Sequence, residues 1–331
     1  MRQRWLVRVA SHPRHGGGHV ARCTVLAAAL VDAGADVVVQ LDVDSPAAAV
    51  TFARHGLSCR EDRPAGRMDG IILDGYELME KEAPILARCA PLAVIDDFLA
   101  PPSCAMLVIN GAVHLDDDRI GDLPALLGPR YALVDPRYAA LPLRDRTAPV
   151  RNILITMGRL DPGNLTNTCL DMIDDIGCDA QITVVASAEM VDGAGLGARI
   201  QPPHRLVIDA PDMVPLLDAA DFVIGAGGVS LMERMAAGVP STTFSLIDNQ
   251  RLFVAGAARL GATVDGGNPA DPGCATLLRD VLADGSARAA MAEAGRRTVD
   301  GRGGARVASH LIGLVTEEHD PGRKTMKGLQ A

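Results

Sequence analysis

The chain has 331 residues, 48% of them hydrophobic and 22% charged, with a formal net charge of −9. That length and apolar content predict two globular domains with substantial cores. The acidic balance, with no dense Lys/Arg run, argues against the clustered positive surface that nucleic acid or an anionic membrane requires.

Seven cysteines, at 23, 59, 89, 104, 169, 178 and 274, are scattered and form no C-x-x-C pair. This usage points to a reducing cytoplasm, with neither a disulfide framework nor a zinc site. A first strand is expected only four residues after Met1, with no signal-peptide apolar region before it. No segment reaches the roughly 18 apolar residues of a transmembrane helix. The expectation is a cytoplasmic protein, monomeric or weakly dimeric, without nucleic-acid partners or membrane insertion.

In chain order, β-rich apolar runs at 5–10, 36–42, 70–74, 92–96 and 106–109 alternate with helical patterns at 19–33, 45–55 and 77–89. Continuous apolar strands separated by helices predict a parallel sheet covered on both faces. The pattern is less regular from 111 to 149, and a boundary is expected at about 145–150. A second series begins with Asn152–Gly158. Its further strands are expected near 181–186, 205–208, 221–225 and 240–244, with helices at 164–176, 212–219, 229–237, 248–260, 273–299 and 303–316. The predicted fold is α/β, with two doubly wound Rossmann-like domains (1–148 and 149–316) facing across a cleft, then a polar tail at 317–331. Ligands of such sheets bind beyond the carboxyl ends of the strands.

The most informative stretch is His15-Gly16-Gly17-Gly18-His19-Val20-Ala21-Arg22, between the first strand and the first helix. Glycines there let a ligand approach the backbone, and the helix behind offers unpaired N–H groups and a positive dipole end. Gly16-x-Gly18-x-x-Ala21, with Asp42 or Asp44 downstream, also fits a relaxed dinucleotide fingerprint. Against that reading stand the long Ser11–His15 lead-in, its two extra histidines, and a better phosphate loop elsewhere. His19 at a helix start is suited to general-base work, since the dipole disfavours imidazolium. The bland alternative is a structural histidine. No carboxylate or cysteine stands at metal-ligand spacing from it.

The better phosphate loop is Gly225-Ala226-Gly227-Gly228-Val229-Ser230, where a strand ends in glycines and a helix begins at once. Its N–H groups suit a diphosphate held without a metal. Glu233, one turn on, is a candidate acceptor for a ribose diol, or simply a solvated acid. Gly158, at the first strand end of the second series, faces the same cleft. Asn249 and Gln250 are candidates to donate to sugar hydroxyls or phosphate, or are N-cap residues. Asp74-Gly75-Tyr76 and Asp96-Asp97 end the third and fourth strands. Tyr76 offers a donor to a substrate oxygen, and Asp74 either orients a ring or caps the next helix.

These residues together resemble the nucleotide-sugar hydrolases of pseudaminic acid biosynthesis (PseG/SpsG-like), within the wider MurG-related GT-B group. The resemblance rests on Gly16-x-Gly18-His19-x-x-Arg22, Asp74-x-Tyr76, Ile95-Asp96-Asp97, Asn110 and Gly128-x-x-Tyr131-Ala132-Leu133. It continues through Met157-Gly158-x-x-Asp161-x-x-Asn164-Leu165, the glycine–Glu233 loop and Asn249-Gln250, covering about residues 5 to 260. It implies two Rossmann-like domains, UDP bound by the second, and cofactor-free hydrolysis of UDP-2,4-diacetamido-2,4,6-trideoxy-β-L-altropyranose. By resemblance, His19 activates water and Tyr76 contacts the sugar. Gly227, Gly228 and Ser230, with Val229 between them, hold the diphosphate, and Glu233 holds the ribose. Gly17, Gly18 and Arg22 fall on the sugar side. Two departures bear on the sugar: Gly75 stands where the family has histidine, and Gly158-Arg159 where it has paired glycines. A glycosyltransferase on the same fold and a non-catalytic nucleotide-sugar binder are the rival readings.

Overall fold

Strands that are apolar at every position must be covered on both faces, and the interior strands here are. In the computed structural model Gly70–Asp74, Leu92–Ile95, Leu107–Asn110 and Phe222–Ala226 are buried at every residue. The structure describes residues 2–319 except 13, 15, 16, 63, 116, 162, 248, 249 and 272, and excludes the side chains of 317–319.

The first sheet contains β1 (Arg4–Val9), β2 (Asp36–Leu41), β3 (Cys59–Arg60), β4 (Gly70–Asp74), β5 (Leu92–Ile95), β6 (Leu107–Asn110), β7 (Arg119–Ile120) and β8 (Leu123–Leu127). Its order is β3-β2-β1-β4-β5-β6-β8-β7, parallel except for the β7–β8 pair. The second contains β9 (Asn152–Thr156), β10 (Gln181–Ala186), β11 (Arg205–Ile208), β12 (Phe222–Ala226), β13 (Ser241–Phe244) and β14 (Val264–Asp265). Its order is β11-β10-β9-β12-β13-β14, all parallel. Both sheets therefore reverse direction of growth between their first and fourth strands, at β1/β4 and β9/β12. Open α/β sheets bind ligands at such points, where neighbouring crossovers depart to opposite faces and leave a crevice.

Several elements differ from the sequence expectation. The irregular stretch 111–149 contributes β8, a strand hydrogen-bonded to β6 that Pro124 disguises. The helix expected over 273–299 is two, Gly273–Ala283 and Gly285–Thr298, because the Asp284 side chain accepts from Ala287 N–H and starts a new helix. The final helix, Gly303–His319, was expected to close the second half. Instead Val307, Ala308, Leu311 and Val315 join the core of the first sheet, beside Cys23, Leu26 and Leu30 of the Gly18–Asp32 helix. An apolar stripe on a helix reports that it is buried, and carries no information on which core buries it. Among the described residues, no helix is long and apolar enough to cross a membrane.

Candidate active site

Gly17 caps the first helix, and His19 and Arg22 sit three residues apart in its opening turns. That spacing puts both side chains on one helix face. The face looks onto the end of β4, because β1 and β4 are neighbours with Val9 opposite Asp74. His19 Nδ1 and Asp74 Oδ1 are 2.6 Å apart. Arg22 Nε donates to Asp74 Oδ2 at 2.7 Å and its Nη2 to Oδ1 at 2.7 Å. Asp74 has no exposure to solvent, while His19 is 6% and Arg22 8% exposed.

Burial alone would raise the Asp74 pKa, but the charges of Arg22 and His19 hold it well below the ordinary carboxylate range. An ionised Asp74 can only accept, so His19 Nδ1 carries the proton of that bond and Nε2 is the ring's acceptor. The same arrangement orients the base in Ser-His-Asp sites. Asp74 thus orients the ring; the Tyr76–Leu86 helix after it takes Gly75 as its cap, with no side-chain cap bond.

Asp97, a carboxylate to which the sequence attached no role, completes the network. It accepts from Arg22 Nη1 at 2.6 Å and from Tyr76 Oη at 2.7 Å. Burial, with the Asp97 charge, pushes the Tyr76 phenol far above its usual value. Tyr76 is therefore a neutral hydrogen-bonding group rather than a base. Its ring lies edge-on to His19, with centroids 5.2 Å apart. Gly75 has a φ of +140°, and a Cβ there would lie 2.6 Å from Ala10 Cβ. This backbone admits glycine readily and a bulkier residue only with strain.

The second switch point is built from backbone. Gly228 (φ +86°) caps the Val229–Ala237 helix, whose Leu231 N–H turns back to the Gly228 carbonyl at 3.1 Å, so the N–H groups of Val229 and Ser230 are the ones left without helical partners. Gly158 (φ +81°) stands two residues beyond β9, in the segment that leaves the sheet. Ser230 Oγ lies 3.4 Å from the Ala226 carbonyl and accepts from Arg234 Nη1 at 3.3 Å. Gln250 Oε1 accepts from Leu246 N–H at 2.9 Å, while its Nε2 lies 3.7 Å from where a Cβ on Gly228 would stand. This places the Gln250 amide beside the glycine loop. Asn249, like His15 and Gly16, lies outside the described residues.

Glu233 lines the cleft. Burial and the charge of Asp135 push its carboxyl up to about 7 against the opposing charge of Arg234. Arg234 itself is 1% exposed and donates to the Ala226 carbonyl at 2.9 Å and Thr243 Oγ1 at 3.0 Å. Burial lowers it to about 10, so it stays a cation beneath the glycine loop at neutral pH. Its sequence signal was an arginine in an otherwise apolar helix face.

Both switch points open into one cleft of roughly 890 Å³, lined by Gly17, Gly18, His19, Arg22 and Tyr76 on one side. Gly158, Gly227, Gly228, Val229, Ser230, Glu233 and Gln250 line the other. Among the described residues no group of His, Cys, Asp or Glu side chains is gathered to hold a metal ion.

No family model matches the chain. It is 31% identical over 176 residues to the spore coat polysaccharide biosynthesis protein SpsG of Bacillus subtilis (strain 168), a match spanning 51% of this chain and 52% of that protein. The chain thus matches about half the length of that relative. Among solved structures it is similar to Acinetobacter baumannii MurG (TM-score 0.63, 13% identity, 94% of this chain and 99% of that one). It is also similar to the spinosyn rhamnosyltransferase SpnG complexed with thymidine diphosphate (TM-score 0.62, 16% identity, 95% and 100%). The fold is GT-B. The two structural likenesses each cover nearly the whole chain.

Proposed function

We propose that this GT-B protein is an enzyme that hydrolyses a UDP-linked deoxyamino sugar of the 2,4-diacetamido-2,4,6-trideoxyhexose type, releasing UDP and free sugar in nonulosonic (pseudaminic-type) acid biosynthesis. The nucleotide lies against the end of the second sheet and the sugar against the end of the first. The observation that carries the reading is the buried Asp74–His19 pair facing a glycine-capped helix N-terminus across one cleft. Water attacks C1 of the sugar while His19 Nε2 takes its proton. The C1–O bond breaks with its electron pair passing to the β-phosphate oxygen of UDP. The Val229–Ser230 helix start meets that growing charge with N–H donors, which act most strongly where water is excluded. Tyr76 and Arg22, held by Asp97, position the sugar. The partial match to SpsG, a polysaccharide biosynthesis protein, supports a role in sugar assembly.

The second reading is a glycosyltransferase, favoured by the likeness to SpnG with its bound thymidine diphosphate. There His19 would activate an acceptor hydroxyl in place of water. Incubation with UDP-deoxyamino sugars and no acceptor, followed by phosphorus NMR, separates the two. UDP release that His19→Ala abolishes supports hydrolysis. No release without an acceptor points to transfer, and undiminished release by His19→Ala overturns the assigned base.

A further inference from the structure

The proposed reaction leaves a highly charged diphosphate in a cleft whose cations are mostly spent. Arg22 lines the cleft, yet its three nitrogens are committed to Asp74 and Asp97. Arg54, at the end of the Pro46–Ala53 helix, directs its charge at Asp212. Arg159 is different. It is exposed within the cleft, and among the described residues its side chain has no carboxylate or hydrogen-bonding partner.

Its place in the fold gives that charge a direction. β9 and β12 are adjacent, with Thr156 opposite Gly225, so the Met157-Gly158-Arg159 turn leaves the sheet beside the Ala226-Gly227-Gly228 turn. The Arg159 carbonyl accepts from Ser187 Oγ at 3.2 Å, which ties the turn to the end of β10. From there the side chain reaches toward the first half: its Cδ lies 3.9 Å from where a Cβ on Gly17 would stand. The neighbouring Val229 Cγ2 lies 3.7 Å from the corresponding position on Gly18. Arg159 therefore stands at the junction between the loop bearing His19 and the loop that caps the diphosphate helix. The bond to be broken, sugar C1 to β-phosphate oxygen, has to span that junction.

We propose that Arg159 is the residue that recognises the β-phosphate and takes up the negative charge it gains as the C1–O bond breaks. The inference rests on the nucleotide-sugar reading above. A guanidinium offers paired N–H donors matched to two phosphate oxygens, so it selects a diphosphate over a monophosphate by charge and by geometry. In the reaction the water oxygen bonds to C1 and the water proton passes to His19. The electron pair of the broken bond stays on the β-phosphate oxygen, which Arg159 contacts.

Calorimetric titration with the nucleoside, monophosphate and diphosphate of uridine, and of thymidine, tests this in wild type, Arg159→Gln and Arg159→Lys. The expected result is a preference for diphosphate over monophosphate in wild type that falls about tenfold or more in Arg159→Gln. Arg159→Lys should restore part of it, and nucleoside affinity should stay the same in all three. With nucleotide sugar, Arg159→Gln should lose kcat by about 10²–10³ while KM changes little. A diphosphate preference that Arg159→Gln retains overturns the assignment and leaves the nucleotide-sugar reading standing. Wild-type protein that binds no member of either series overturns both.

Discussion

The two switch points share a topology and differ in almost everything else. At β1/β4 the chain spends side chains: His19, Arg22, Asp74, Tyr76 and Asp97 join in one hydrogen-bonded network around a fully buried carboxylate. At β9/β12 it spends glycine, and offers helix N–H groups with Gly158 and Gly228 in conformations that side chains avoid. The difference teaches how one architecture divides labour. A proton acceptor needs a specific ring held at a specific angle, whereas an anion needs only converging donors and room to approach.

The sharpest way to break this contrast is at the ring. His19→Ala should lower turnover by about 10²–10⁴ while UDP affinity stays within twofold or so, measured by UDP release and calorimetry. Equal losses in both would mean that the halves are not separable. Asp74→Asn comes next. It removes the counter-charge of buried Arg22 and the acceptor that orients His19, so we expect about 3–5 kcal/mol lost from unfolding in urea and a large fall in rate. The sign with pH is set by the lowered carboxyl. Its stabilisation is present above the ordinary carboxylate range of about 4 and is lost as pH falls through the depressed folded value, so the variant should show a flatter acid limb.

On the backbone side, Gly228→Ala places a Cβ at a φ of +86°. Strain of about 1–3 kcal/mol at the helix cap should weaken UDP binding by roughly tenfold or more, with the His19 network untouched. A variant that binds UDP normally would show that the loop does not hold the diphosphate. The smallest effect is expected at Glu233, whose carboxyl is raised to about 7. If it accepts from a ribose diol, UDP affinity should fall a few-fold as pH drops below about 7, and Glu233→Gln should remove that slope. In the free protein the sign reverses. A raised acid contributes stability that is fully present below its ordinary value and lost as pH rises through about 7, so Glu233→Gln should narrow the gap in Tm between pH 5 and pH 8.

The alternation of apolar runs and helical patterns was enough to find most interior strands, because parallel strands buried on both faces leave an uninterrupted apolar signature. β8 escaped because Pro124 breaks the run, and the division at Asp284 escaped because capping competes with a helical pattern only locally. Within the site, His19, Asp74 and Tyr76 were legible as chemistry in the turns that follow strands, and Arg22 only through the family resemblance. That they form one network with Asp97, and that burial and Asp97 keep the Tyr76 phenol neutral, was not.

What the sequence by itself determined about this protein is local: which segments are strand or helix, and which turns carry glycine, histidine or carboxylate. Those follow from periodicity and backbone preference, which act over a few residues. Only the tertiary structure decided that the last helix returns to the first core, that Asp74 is buried between His19 and Arg22, and that Arg159 stands at the seam of the two loops. Each depends on strands distant in sequence becoming neighbours, and the strand order that brings them together belongs to the whole sheet rather than to any segment of the chain.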